Sequence, residues 1–134
     1  NWWDAFQLVP VSDGFWHGGR YFRVHAVRHH DPGTAFGLHL PGSLFWTGDT
    51  RPIPELLKHI VAGGELIAHD CALHGNPSHT GLDDILREYP QDWHARLLLY
   101  HYGSTDEAEK MRAKGLCVAG QGQVFELPAP RPLP

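Results

Sequence analysis

Histidine and aspartate recur at the points where apolar runs of this sequence stop. The run Leu44–Thr47 ends in Gly48-Asp49-Thr50, the run from Leu66 to Ala68 ends in His69-Asp70, and the run from Leu97 to Tyr100 ends in His101. A fourth run, from Tyr21, ends in His29-His30-Asp31-Pro32-Gly33. Imidazole and carboxylate together suit a borderline divalent cation such as zinc. Asp49 sits at the carboxyl end of a strand, where α/β sheets place their ligands. Gly48 permits close backbone approach, and a carboxylate at that point can bridge two cations. Competing readings exist for each residue. Asp49 can cap the helix or turn that follows, and a lone strand-end histidine is more often a hydrogen-bonded structural residue than a ligand. Four such ends in one small domain favour convergence on a single rim. His29 and His30 compete for one ligand role, because alternation along a strand puts only one of them on the rim face.

The elements that must position these residues follow from periodicity. Leu8 to Val11 reads as a short strand, and His17-Gly18-Gly19 as a hairpin turn. Tyr21 to Arg28 alternates with period two, hence a strand. Ala35 to Leu40 and Leu44 to Thr47 are two further strands, joined at Pro41-Gly42 as an antiparallel hairpin. Ile53, Leu56, Leu57, Ile60 and Val61 then share one face of an amphipathic helix, with proline in its first turn and Gly63-Gly64 ending it. Glu65 to Ala68 is a short strand. Thr80 to Tyr89 is a helix with Thr80 as its cap, stopped by Pro90. Arg96 to Tyr100 is a buried strand. Ser104 and Glu107 form a capping box for a third helix to about Lys114. Leu116 to Ala119 and Val124 to Leu127 are final strands. The order predicts one α/β layered domain over residues 1–127 and an extended, mobile proline-rich tail over 128–134.

Bulk properties bound the function. Apolar residues make up 42% and charged residues 19%, an ordinary globular balance, with a net charge of −4. No Lys/Arg stripe marks a nucleic-acid surface, and no apolar run approaches the ~18 residues of a membrane span. Two cysteines, Cys71 and Cys117, are too few for a disulfide framework, which points to a reducing cytoplasm. Eleven histidines are the unusual number. Trp2, Trp3, Trp16 and Trp46 read as core or interface packing rather than as a base-stacking pocket.

With these elements placed, four motifs stand in order: His30-Asp31-Pro32-Gly33, an apolar run with Gly48-Asp49-Thr50, an apolar run with His69-Asp70-Cys71 and then His79-Thr80, and Leu99-Tyr100-His101-Tyr102. From Tyr21 to Leu127 the chain resembles the metallo-β-lactamase superfamily, in its phosphodiesterase and tRNA 3′-processing endonuclease branch. The resemblance implies an αββα four-layer sandwich, of which this chain supplies the C-terminal half. It implies His30 as a terminal metal ligand, Asp49 as the bridge between two metals and His101 as a ligand to the second. It also implies that His79, oriented by Asp70, protonates a leaving group. Asp70 departs from the glutamate usual in that branch. The superfamily's His-x-His-x-Asp-His motif is not in these residues, so the resemblance implies an upstream half, in the same parent chain or another, that carries it. The function it implies is hydrolysis of a small-molecule or nucleotide phosphodiester by a two-metal-activated water, with zinc first and manganese or iron as substitutes. This chain alone should then be inactive. A homodimer is compatible with the reading, and a membrane role is not. The alternative is a non-catalytic di-iron sensor or a degenerate scaffold on the same fold.

Overall fold

The computed structural model describes residues 1–132, so the last two residues of the proline-rich tail lie outside the description. A short N-terminal helix α1 (Trp2–Ala5) precedes strands β1 (Gly14–His17), β2 (Arg20–Ala26), β3 (Phe36–Leu40) and β4 (Leu44–Trp46). Helix α2 (Pro54–Gly63), strand β5 (Leu66–Asp70) and helix α3 (Leu82–Glu88) follow. A 3₁₀ turn (Gln91–Arg96) leads into β6 (Leu97–Tyr100), helix α4 (Thr105–Arg112) and β7 (Cys117–Val118).

The seven strands lie side by side in chain order. β1 to β4 form an antiparallel meander, and β4 to β7 are parallel. The three parallel crossovers all step in one direction. Right-handed connection therefore lays α2, α3 and α4 on one face of the sheet. That face holds the core: Phe45, Ile67, Leu97, Leu99 and Val118 from the strands meet Leu57, Ile60, Ile85 and Met111 from the helices. The expected αββα four-layer sandwich, and the reading of the chain as half of one, are corrected. The described residues build a single mixed sheet with one layer of helices, because every strand finds its partner within that sheet.

Local chemistry explains where the elements stop. Pro54 opens α2, where its missing N–H costs nothing, and Gly64 ends it in a left-handed turn (φ 88°) whose N–H returns to the Val61 carbonyl. Ser104 caps α4 by accepting the Glu107 N–H, while the Glu107 carboxylate accepts from Gly103 N at 2.8 Å. α3 begins one residue later than expected, with Gly81 as its cap, because the Thr80 hydroxyl is spent on the Thr50 carbonyl at 2.7 Å. The expected strands Leu8–Val11 and Val124–Leu127 are irregular, since neither has a ladder partner among the described residues. Trp3, Trp16 and Trp46 are exposed, not core. The expected mobile tail is anchored at Arg131, whose N–H donates to the Pro41 carbonyl at 2.8 Å.

Three histidines sit inside this frame, His39 and His69 buried and His25 half-buried, each with its pKa lowered. His69 donates Nδ1–H to the Asp70 carbonyl (2.6 Å), and its Nε2 accepts from the Tyr89 hydroxyl (2.8 Å). The same hydroxyl accepts the Ile53 N–H at 2.9 Å, joining β5, α3 and the start of α2. Burial holds His69 down to about 4. Burial also lowers His39, and it lowers His25 with the help of His39 and Arg23.

Two outcomes follow. Tyr89→Phe strands a buried amide and a buried imidazole nitrogen, and should cost about 1–3 kcal/mol in urea unfolding; an unshifted midpoint would contradict this hydrogen-bond junction. His25 and His39 are both lowered from 6.5, so below that value the unfolded chain binds more protons than the folded one. Their contribution is present above pH 6.5 and is lost as pH falls through the depressed folded values. Unfolding free energy measured from pH 7.5 downward should decline in that window, and a flat profile would show that these rings take up protons without penalty.

Candidate functional site

The carboxyl ends of β4, β5 and β6 lie next to one another, and that adjacency builds the site. Asp70 is the last residue of β5 and pairs in register with Tyr100 at the end of β6, which puts His101 one residue beyond it. Asp49 follows β4 by three residues. Among the described residues, Asp49, Asp70, His79 and His101 bring one ligand atom each to within 4.8 Å of one another.

Asp70 is the organiser. Its carboxylate has no solvent exposure. One oxygen, Oδ2, accepts the Thr50 N–H (2.8 Å) and the His79 Nδ1–H (2.8 Å). The other, Oδ1, accepts the His101 Nδ1–H at 3.0 Å. A carboxylate can only accept, so each imidazole must present its proton at Nδ1. The opposite nitrogen of each ring is then the one available to a ligand or substrate. His79 is partly buried and His101 and Asp49 are exposed, so the cluster has a dry floor and an open mouth.

A second set of bonds fixes the floor. The Thr47 hydroxyl accepts the Asp70 N–H (3.1 Å) and donates to the Gly48 carbonyl (2.7 Å), which also accepts from the Tyr100 hydroxyl (2.7 Å). Burial pushes that Tyr100 phenol up to about 12, so it stays a donor. Thr50 accepts the Arg28 N–H at its hydroxyl (3.1 Å), and its carbonyl accepts two bonds from Thr80. It thereby ties the end of β2 to the loop carrying His79. In that loop Asn76 Oδ1 accepts the N–H groups of Ser78 (2.8 Å) and His79 (3.0 Å). Cys71, beside Asp70, is buried and raised to about 12 by that burial, which excludes it as a nucleophile.

Four imidazoles run in a row across the rim. Ring centroids are 3.8 Å apart for His30 and His29, 4.8 Å for His29 and His79, and 4.8 Å for His79 and His101. His29 donates Nδ1–H to the Ser78 carbonyl at 3.0 Å, and His30 Nδ1 meets the Ser78 hydroxyl at 3.3 Å. Among the described residues, His30 and His101 are the two non-glycine ones with positive φ, 52° and 74°. Such strain concentrates where surrounding structure over-determines a site.

Of the five residues singled out from sequence, four come together and His30 stands outside the cluster, next to His29. The helix after Asp49 takes Ile53 as its N-cap without a side-chain bond, so Asp49 does not cap it. Periodicity could not find Thr50, Thr47 and Ser78. Their roles rest on backbone groups and hydroxyls brought together from separate strands. Only the position of Thr50 next to Asp49 hinted at one of them.

Residues 3–125 match the family described as Anti-Pycsar protein Apyc1, which is most of the chain, and the chain belongs to that family. No curated protein matches it. The matching family is not a metallo-β-lactamase one. The superfamily expected from the four motifs is corrected on that match. So is the function read through it, a two-metal phosphodiesterase fragment or a di-iron or degenerate scaffold on the same fold. No helix among the described residues is long and apolar enough to cross a membrane.

The Asp70 geometry predicts a tautomer. Long-range ¹H–¹⁵N spectra of the unliganded chain should show His79 and His101 protonated at Nδ1, and Asp70→Asn should release at least one of them. Finding both rings protonated only at Nε2 would contradict the arrangement.

Proposed function

We propose that this member of the Anti-Pycsar protein Apyc1 family is an enzyme that degrades a cyclic nucleotide by hydrolysing its phosphodiester at a divalent-cation centre. One observation carries the reading: a buried carboxylate, Asp70, holds two imidazoles by Nδ1, and these three groups share one cluster with the exposed carboxylate of Asp49. The donor set fits a cation of the zinc class, since an imidazole and a carboxylate, with an outer carboxylate that orients the ring, are what such an ion recruits. His101 and Asp49 are the residues that would hold it. When bound, the cation supplies Lewis-acid charge to phosphoryl oxygens.

The rest of the work belongs to the chain. Hydrolysis adds water to phosphorus and breaks one P–O bond to the sugar, so the departing oxygen needs a proton. His79 would give it: with Nδ1–H held by Asp70, its other nitrogen takes up the proton that the attacking water loses and passes it to the departing oxygen. Asp70 sets its tautomer and keeps the ring from turning, and the His29 ring meets it in a T-shaped contact. The product is a linear nucleotide monoester with one charge more than the substrate. His101 and Asp49 are exposed at the open side of the cluster, where a cyclic nucleotide would reach them.

A second reading makes His79 a third cation ligand, which its place in the same 4.8 Å cluster favours. One variant separates the two. The chain would be loaded with zinc or manganese and incubated with a 3′,5′-cyclic nucleotide, and the linear product followed by chromatography. His79→Ala should lower turnover by about 10²–10⁴-fold with metal content unchanged, whereas Asp49→Ala should lose metal. Loss of metal from the His79 variant would move that residue into the cation's shell. A loaded wild-type chain that leaves every cyclic nucleotide intact would overturn the activity.

A further inference from the structure

At the opposite end of β5 from Asp70 lies a second buried carboxylate that the proposed reaction does not use. Glu65 has no solvent exposure. Its Oε1 accepts from Gly42 N (2.7 Å), from His39 Nε2 (2.9 Å) and from the Arg131 guanidinium (3.1 Å). Its Oε2 is buried with no hydrogen-bond partner among the described residues. His39 in turn meets His25, with Nδ1 3.3 Å from His25 Nε2. The groups facing His39 are therefore Glu65, His25, Arg23 and Arg131, with the Phe45 ring edge-on. Burial lowers His39, and Arg23 and Arg131 add to that effect. The backbone N–H of Gly42 and the His39 bond hold Glu65 below its usual range despite its burial. Arg131, a residue of the tail, is the permanently charged partner of that carboxylate.

The floor under that arginine is made of two glycines. A Cβ on Gly42 would lie 2.6 Å from Arg131 Cγ and 3.0 Å from its backbone nitrogen. A Cβ on Gly63 would overlap Glu65 Oε2 and lie 2.7 Å from Arg131 Nη2. No other residue type leaves this gap open. Beside it is a cavity of about 350 Å³ walled by Trp16, Tyr21, Leu40, Pro41 and the tail's own Pro130 and Pro132. Flat aromatic and proline walls suit an extended proline-rich segment, whose backbone is stiff before it binds.

We propose that Gly42, Gly63 and Glu65 form a built guanidinium slot whose ligand is the arginine of an extended Pro-Arg-Pro segment, occupied in this chain by Pro130-Arg131-Pro132. The unpartnered Oε2 lies against the same gap and offers a second acceptor to a planar, forked cation. A lysine ammonium has neither the plane nor the fork. The slot is independent of the metal cluster, so its test does not depend on the proposed activity.

The test uses the full chain and NMR. The Gly42 amide, the Trp16 indole and the His39 ring report on the slot. Arg131→Ala should shift all three and should raise the His39 pKa, because Arg131 is one of the cations that lower it. Gly63→Ala, which is mild for the helix itself, should give the same signature by filling the gap. A peptide with the sequence Leu-Pro-Ala-Pro-Arg-Pro, added to the Arg131→Ala chain, should restore the wild-type signals. The same peptide with alanine for arginine should bind at least about tenfold more weakly, and Arg131→Lys should not restore them. Wild-type signals in both variants, or equal binding of the two peptides, would overturn the slot. A wild-type chain that is dimeric by sedimentation and becomes monomeric on Arg131→Ala would overturn occupation within one chain.

Discussion

A carboxylate removed from water has to be met by donors at both of its oxygens, and in this protein that requirement falls on Asp70. Three donors from three separate segments answer it: a backbone N–H after β4, an imidazole from the loop before α3 and an imidazole after β6. Each donor is in turn fixed by its own segment. Remove the charge and the imidazoles have no reason to face one way; remove the parallel register of β5 and β6 and His101 no longer stands next to Asp70. The left-handed backbone at His101 is tolerated because the ring is held at this point, so local strain is offset by a charge-assisted bond.

Glu65 stands immediately before the same strand, and the two acids make an instructive pair. Both are fully buried, and both bond to histidine. They differ in what completes the neutralisation. Asp70 meets two imidazoles and an amide from the segments at the carboxyl ends of the strands, beside the exposed Asp49. Glu65 meets one depressed imidazole and a guanidinium that arrives from the C-terminal tail. One end of β5 therefore presents chemistry to solvent, while the other holds chain against the sheet.

The sheet explains why these ends differ. Where β4 to β7 run parallel, their carboxyl ends open together and helices cover one face, so side chains after the strands gather at a common rim. The antiparallel meander of β1 to β3 contributes at the other end, through the Pro41-Gly42 turn and the His25–His39 pair. Mixed topology in a single sheet thus gives two polar foci separated by an apolar core.

Much of this was legible in the residues themselves. The helix over Pro54–Gly63, the stops at Gly64 and Pro90 and the cap at Ser104 follow from backbone chemistry that acts within one turn. Strand ends bearing Asp49, Asp70 and His101 were visible because apolar runs stop abruptly there. Other features were not legible, because they depend on groups far apart in sequence. Leu8–Val11 and Val124–Leu127 carry strand-like composition but have no ladder partner among the described residues. His30 and His29 are adjacent, yet a positive φ at His30 turns the chain so that His29 is the one that packs against His79. Short motifs in a plausible order pointed to a different family and a four-layer fold, since three or four residues constrain local geometry and not the number of layers. Sequence by itself determined which side chains were available at each strand end; tertiary structure decided which of them share a carboxylate, because a buried charge selects its partners by distance and not by position along the chain.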